Sequence, residues 1–340
     1  MKPGPLNLIT DVEGLTVGNC CDVTLKSGVT TLLCETENVS SVHVMGGAPG
    51  TRDTDLLQPE NIVQSTDALV LSGGSAFGLD AASGVQSALR EQGKGFAVED
   101  QRIPIVPTAI LFDLINGGNK DWGKHSPYRE LGYNSVKAAN REFELGSVGA
   151  GSGALVGGPE IGLKGGLGSA SIVLDNGITV AALVAVNALG APTVGLDKHF
   201  WAAPFEQGSE FGGHGISNAP REESRQVRIK FRERHSQGAN TTIGIIATDA
   251  ALNKAQAKRL AVAAHDGFAR ALWPAHTPLD GDLIFAISTG TSKIEPALDT
   301  QIDLSAAAAG TMSRAIARGI FSAAEMPNDI FPTWKNYFNT

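Results

Sequence analysis

Hydrophobic positions fall into short blocks separated by glycine turns. Ser41-Val42-His43-Val44-Met45 and Ala68-Leu69-Val70-Leu71 read as strands, ending in Gly46-Gly47 and Ser72-Gly73-Gly74. Helical spacing then predicts a helix from about Leu79 to Glu91, with Gly93 near its stop, and a second near Ser135 to Phe143. Two apolar runs flank Asp175-Asn176-Gly177 and predict a hairpin, because Asn-Gly supplies the positive φ angles of a tight turn. The second run, Ile178 to Val186, is apolar at odd and even positions alike, as in a central strand covered on both faces. Thr242 to Thr248 and Leu283 to Ile287 carry the same buried-strand signature. Between them Leu260, Ala264, Phe268 and Leu272 make one stripe of a helix predicted over about Asn253 to Leu272. An alanine-rich helix is predicted from Leu304 to Phe321. This mixture predicts an α/β chain with helices packed over stacked sheets.

One stretch breaks the pattern. From Arg221 to Arg234 charges dominate, including Arg228, Lys230 and Arg232, and Ser236-Gln237-Gly238-Ala239 follows. It reads as an exposed, mobile linker. The linker delivers Asn240-Thr241-Thr242 straight into a buried strand. A Thr hydroxyl can attack the carbonyl before it, and hydrolysis of the resulting ester frees an α-amine on the Thr. That amine titrates near ~7.7–8.0 in peptides, so it can serve as general base for its own hydroxyl. Thr-Thr before a strand also has an ordinary explanation, since β-branched residues favour strands.

Several segments decide between these readings together. They are Gly46 to Asp55 (GGAPGTRDTD), Leu71 to Asp80 (LSGGSAFGLD), Gly149 to Gly153 with Lys164 to Gly168, Asn240-Thr241-Thr242, and Asp280-Gly281-Asp282. In this order they resemble motifs of the L-aminopeptidase D-esterase/amidase family, which includes β-aminopeptidases and the 6-aminohexanoate-oligomer (nylon) hydrolase. The resemblance runs from about residue 6 to 320. It implies an αββα sandwich of the N-terminal-nucleophile type, one catalytic domain cut into residues 1–240 and 241–340 that stay together. It implies Thr241 as nucleophile with its amine as base, and Asn187 as donor to the oxyanion. Asp280 and Asp282 would orient the ammonium, although an Asp-Gly-Asp triplet is otherwise an ordinary solvated turn. Some relatives carry a catalytic lysine, for which Lys164 is a candidate, with Gly158 the alternative at that position. The aminopeptidase branch uses a Tyr near Ala109 to Asn116. Here that segment holds Leu111, Phe112 and Asp113 and no Tyr, while a Thr nucleophile and an Asp-Gly-Asp motif both lean towards the nylon-hydrolase branch. A homo-oligomer, tetramer or larger, acting on small peptide or amide substrates is the family expectation. An acyltransferase of the ornithine-acetyltransferase type, using the same Thr, is the alternative enzyme class.

Composition narrows the field. The chain of 340 residues is 42% hydrophobic, with a net charge of −8. It has no basic block with interleaved aromatics, so nucleic acid is not an expected partner. Forty-one glycines and 6% aromatics suggest close backbone packing. Cys20, Cys21 and Cys34 form no CxxC pair and read as buried free thiols. With no secretory or membrane-length apolar run, a cytoplasmic location is expected. The histidines lack metal-ligand spacing, so no metal or cofactor is expected. Gly149 to Ala154 fits a loose GxGxxA with Asp175 downstream, which keeps open a nucleotide-binding module. Gly73 to Phe77 approaches a nucleophile elbow but lacks its second Gly, so Ser75 reads as a helix-start or pocket residue.

Overall fold

The computed structural model describes residues 1–232 and 240–340. The strands that position the site are, in chain order, β1 (Leu15–Asp22), β2 (Ser27–Cys34), β3 (Val39–Val44), β4 (Thr51–Arg52), β5 (Ala68–Ser72), β6 (Thr108–Ile110), β7 (Gly166–Val173), β8 (Thr179–Asn187), β9 (Thr241–Thr248) and β10 (Leu283–Ser288). They form two five-stranded sheets, ordered β1-β2-β5-β6-β4 and β7-β8-β9-β10-β3. Helices α1 (Ala81–Glu91) and α2 (Tyr128–Lys137) cover the first sheet. Helices α3 (Lys254–Ala269) and α4 (Leu298–Phe321) cover the second. The layers are helix, sheet, sheet, helix.

Strand β8 shows why two sheets stack. Val180, Ala182, Val184 and Val186 pack with Leu260, Phe268, Met312 and Ile316 of the helices. The alternate residues Ala181, Leu183 and Ala185 pack with Leu32, Leu69 and Leu71 of the other sheet. Side chains of a strand alternate between faces, so apolar residues at both parities require cover on both sides. The same alternation sends Ile243 and Ile245 of β9 between the sheets and Ile246 towards the helices.

The hairpin is present as β7 and β8, with Gly177 at φ +89° in its turn. Other boundaries move. The second helix spans Tyr128–Lys137, not Ser135 to Phe143. It starts after Pro127, and beyond its end Asn140 exchanges both backbone hydrogen bonds with Val17 of β1, each 3.0 Å. Helix α4 begins at Leu298, ahead of the expected Leu304, because its first turns leave Leu298 and Ile302 exposed and show no apolar stripe. The charged stretch is not uniformly exposed: Arg221–Arg225 is helical, Ile229 bridges Gly190, and Lys230 is buried. The segment 233–239 of the expected linker lies outside the described residues. Cys20, Cys21 and Cys34 are free thiols, but Cys21 is exposed and Cys20 and Cys34 are partly buried, correcting the expectation that all three are buried. Among the described residues, no helix is long and apolar enough to cross a membrane.

Candidate active site

Thr241 opens β9 and Asn187 closes β8, and the antiparallel register sets them directly opposite. Thr241 has the parity of Ile243 and Ile245, and Asn187 that of Leu183 and Ala185. Both side chains therefore point into the space between the sheets, at one end of it. Both residues are buried. The Thr241 hydroxyl donates to the Asn240 carbonyl oxygen at 2.6 Å.

Asn187 is held from three sides. Its Oδ1 accepts the Leu155 N–H at 2.9 Å and the Lys230 ammonium at 3.0 Å, and its Nδ2 donates to Phe112 O at 2.9 Å. Because Oδ1 faces two donors, the amide orientation is settled, and the second Nδ2–H remains for an incoming oxygen. Lys230 was not among the residues picked from the sequence. Its Nζ also donates to Asn187 O at 3.0 Å and to Leu155 O. Three oxygen acceptors suit the three protons of an ammonium, but burial pulls the group down to about 7, with Asp280 and Asp113 pulling back up.

The turn before β10 backs Thr241. Asp282 Oδ1 accepts the Thr242 N–H at 2.7 Å, and its Oδ2 accepts from His276 Nδ1 at 2.9 Å and from His276 N–H at 3.1 Å. Asp280 Oδ1 accepts the Leu189 N–H at 3.2 Å, and its Oδ2 takes both the N–H and the hydroxyl of Thr277. Burial, and then the neighbouring Asp282, raises the Asp280 carboxyl. The triplet is thus a buried, fully bonded turn rather than a solvated one. The first glycine motif packs against this turn: a β-carbon on Gly46 would lie 2.3 Å from both Asp280 O and Asp282 N. The second and third motifs converge on Asp113, where β-carbons on Gly73 and Gly153 would come within 2.3 Å and 2.7 Å of its Oδ2. Burial raises the Asp113 carboxyl, which accepts from Ser27 Oγ at 2.6 Å and Gly74 N–H at 2.8 Å.

Lys164 stands elsewhere. Its Nζ donates to both oxygens of Asp329, at 2.9 and 2.8 Å, and Lys26 shares the same carboxylate. Asn187 takes its ammonium contact from Lys230 instead. Gly149–Gly151 is a single 3-10 turn followed by the strand Leu155–Val156, with no crossover helix, so the GxGxxA match lacks its dinucleotide-binding context. Ser75 starts a 3-10 helix. Among the described residues, no group of three or more His, Cys, Asp or Glu is placed to hold a metal ion.

The space beside Asn187 is small. Phe112, Asp113, Asn116, Leu155, Lys230 and Asn240 enclose about 10 Å³ there, about one water's worth. A far larger cavity of about 800 Å³ lies at the opposite end of the strands, among Asn38, Val39, Ser288 and Thr289. It contains none of the candidate groups, so chemistry and not size marks the site.

Four helix-sheet-sheet-helix layers, with a Thr opening a central strand into the gap between the sheets, define an N-terminal-nucleophile-type hydrolase fold. Solved structures agree. The Burkholderia sp. beta-aminopeptidase superposes with TM-score 0.72 over 99% of this chain and 94% of its own, at 22% identity. The L-aminopeptidase D-ala-esterase/amidase of Ochrobactrum anthropi, described as a new variant among the ntn hydrolase fold, superposes with TM-score 0.68 over 96% and 90%, at 20% identity. Residues 7–329 match the model of Peptidase family S58, and the chain belongs to that family. A protein of Mycobacterium tuberculosis named an uncharacterized aminopeptidase is 41% identical over 98% of each chain. A 6-aminohexanoate-oligomer endohydrolase of Kocuria sp. is 26% identical over 82% of this chain and 74% of its own.

Proposed function

We propose that the protein cuts itself between Asn240 and Thr241 and then hydrolyses short peptides or other linear amides through an acyl-enzyme on Thr241. The observation that carries this reading is the Thr241 hydroxyl lying 2.6 Å from the carbonyl oxygen of the bond to be cut, opposite Asn187 and next to the Asp282-bonded Thr242. In the first reaction the hydroxyl displaces the Thr241 nitrogen from the Asn240 carbonyl, and water opens the ester. In the second, the freed amine takes the hydroxyl proton as Thr241 attacks a substrate carbonyl. The Asn187 amide donates to the developing oxyanion, and Asp280 and Asp282 hold the ammonium form of the amine. Membership of a peptidase family and the aminopeptidase and amide-hydrolase names of relatives support the substrate class. The named 6-aminohexanoate-oligomer relative and the absence of Tyr from residues 109–116 favour plain linear amides over a narrow aminopeptidase specificity.

Intact-mass measurement of purified protein tests the reading. Fragments of residues 1–240 and 241–340 are expected, and Thr241→Ala should stay whole and inactive. Active wild-type enzyme with every chain uncut would overturn it.

A further inference from the structure

Self-cleavage and substrate hydrolysis use one hydroxyl but place their oxyanions differently. A substrate carbonyl arrives from outside, whereas the Asn240 carbonyl is fixed by its own backbone pairing. The Asn187 amide has its observed Nδ2 bond to Phe112 O. A main-chain donor, the N–H of Gly281, meets the Asn240 oxygen at 2.8 Å. The same oxygen lies 2.6 Å from Thr241 Oγ1.

This donor is rigidly held. Asn240 and Asp280 form a parallel bridge, closed on its other side by Asn240 N–H to Leu279 O at 3.0 Å. Around it, Ala48 N–H bonds Asp280 O at 2.9 Å, and the N–H groups of Met45 and Gly46 both bond Asp282 O at 3.0 Å. A second feature of the same residue concerns the nucleophile. A β-carbon on residue 281 would lie 2.7 Å from Thr241 Oγ1 and 2.6 Å from Ala48 O. Gly281 is not among the glycines at positive φ, so its backbone conformation does not call for glycine. The space shared by the Ala48 carbonyl and the Thr241 hydroxyl does.

We infer that Gly281 is a catalytic residue of self-cleavage: its N–H stabilises the charge developing on the Asn240 oxygen, and its lack of a side chain leaves the attacking hydroxyl in place. The inference rests on self-cleavage at Thr241 and adds the donor for it. As Oγ1 bonds to the Asn240 carbonyl carbon, the C=O electron pair moves onto the oxygen facing Gly281. On collapse the C–N bond breaks and the hydroxyl proton ends on the leaving nitrogen, giving ester and amine. Water then adds to the ester, releasing the Asn240 carboxyl and restoring the hydroxyl.

The test is a full-length chain with an ester in place of the 280–281 amide, glycolic acid replacing Gly281. This deletes the N–H and adds no atom. Refolded beside wild type, it should release the 241–340 fragment ~10²–10³-fold more slowly, the range for loss of one oxyanion donor, followed by intact mass. Gly281→Ala should also remain uncut. Cleavage of the ester chain at the wild-type rate overturns the inference, as does wild-type cleavage of Gly281→Ala. Should Gly281→Ala fail to fold, the ester chain decides. If wild type is cut and the ester chain keeps pace, only the role of Gly281 falls. If wild type is never cut, self-cleavage itself falls, and this inference with it.

Discussion

Lys230 carries the densest information at the residue scale. A buried lysine with no carboxylate bonded to it among the described residues persists because Leu155 and Asn187 present three oxygens to it. Its ammonium beside Asn187 Oδ1 draws charge from the amide and strengthens Nδ2 as a donor. The sign of the pH effect follows from its depressed value. The cationic form is present below about 7 and is lost as pH rises through it, taking the assistance away. The Thr241 amine must itself be free to act, so the lysine's share is read as a ratio: wild-type kcat should exceed that of Lys230→Met most below about 7, and the ratio should shrink as pH rises through that value. Asn187→Ala should lower kcat by ~10²–10³ with a smaller change in KM, measured on a linear amide substrate. Thr241 was a candidate from its junction with a buried strand, whereas Asn187, Asp280 and Asp282 were candidates only through the family resemblance, since each alone reads as an ordinary strand-end or turn residue. Lys230 was not, because among Arg228 and Arg232 it looks like another solvated charge. Nothing local says that its side chain turns inward, and the same holds for Lys164, whose partner Asp329 is remote in sequence.

At the element scale, hydrophobic period and turn chemistry identified β8, β9, β10 and α3 from the sequence. Their burial is one-sided or complete, and the residues alternate accordingly. Strands β1 and β2 escaped because their runs mix glycine with small polar residues. Ser27, Thr30 and Thr31 of β2 are buried by pairing across strands and by packing under α2, not by apolar character. Two substitutions isolate local terms. Gly177→Ala meets no atom within 4 Å, so its cost is the φ of +89° alone, about 1–2 kcal/mol. Asn253→Ala removes the cap that accepts Gln256 N–H at 2.9 Å and starts α3, at a cost of about 0.5–2 kcal/mol. Thermal or denaturant unfolding checks both. A loss well beyond these ranges would mean the residues hold more than their turn and cap.

For the whole molecule, the proposed cut falls between neighbours of one sheet. Residues before it supply β7, β8 and β3, and residues after it supply β9 and β10, which lie between β8 and β3. A cut chain should therefore run as one particle in native gel filtration and part into two bands only in denaturant. Separation of the fragments under native conditions would contradict this interleaving. The small space left beside Asn187 while Asn240 is in place also predicts that an uncut Thr241→Ala chain binds a substrate amide more weakly than cut enzyme blocked at its hydroxyl, by calorimetry. The sequence by itself determined the layered α/β class and the strand that presents Thr241, because hydrophobic period and turn residues are local signals. Only the tertiary structure decided which lysine reaches Asn187, why the glycine motifs recur, and which backbone N–H faces the Asn240 carbonyl. Those are contacts between segments far apart in the chain, set by strand register and by the room a missing side chain leaves, and neither is written in any one stretch of residues.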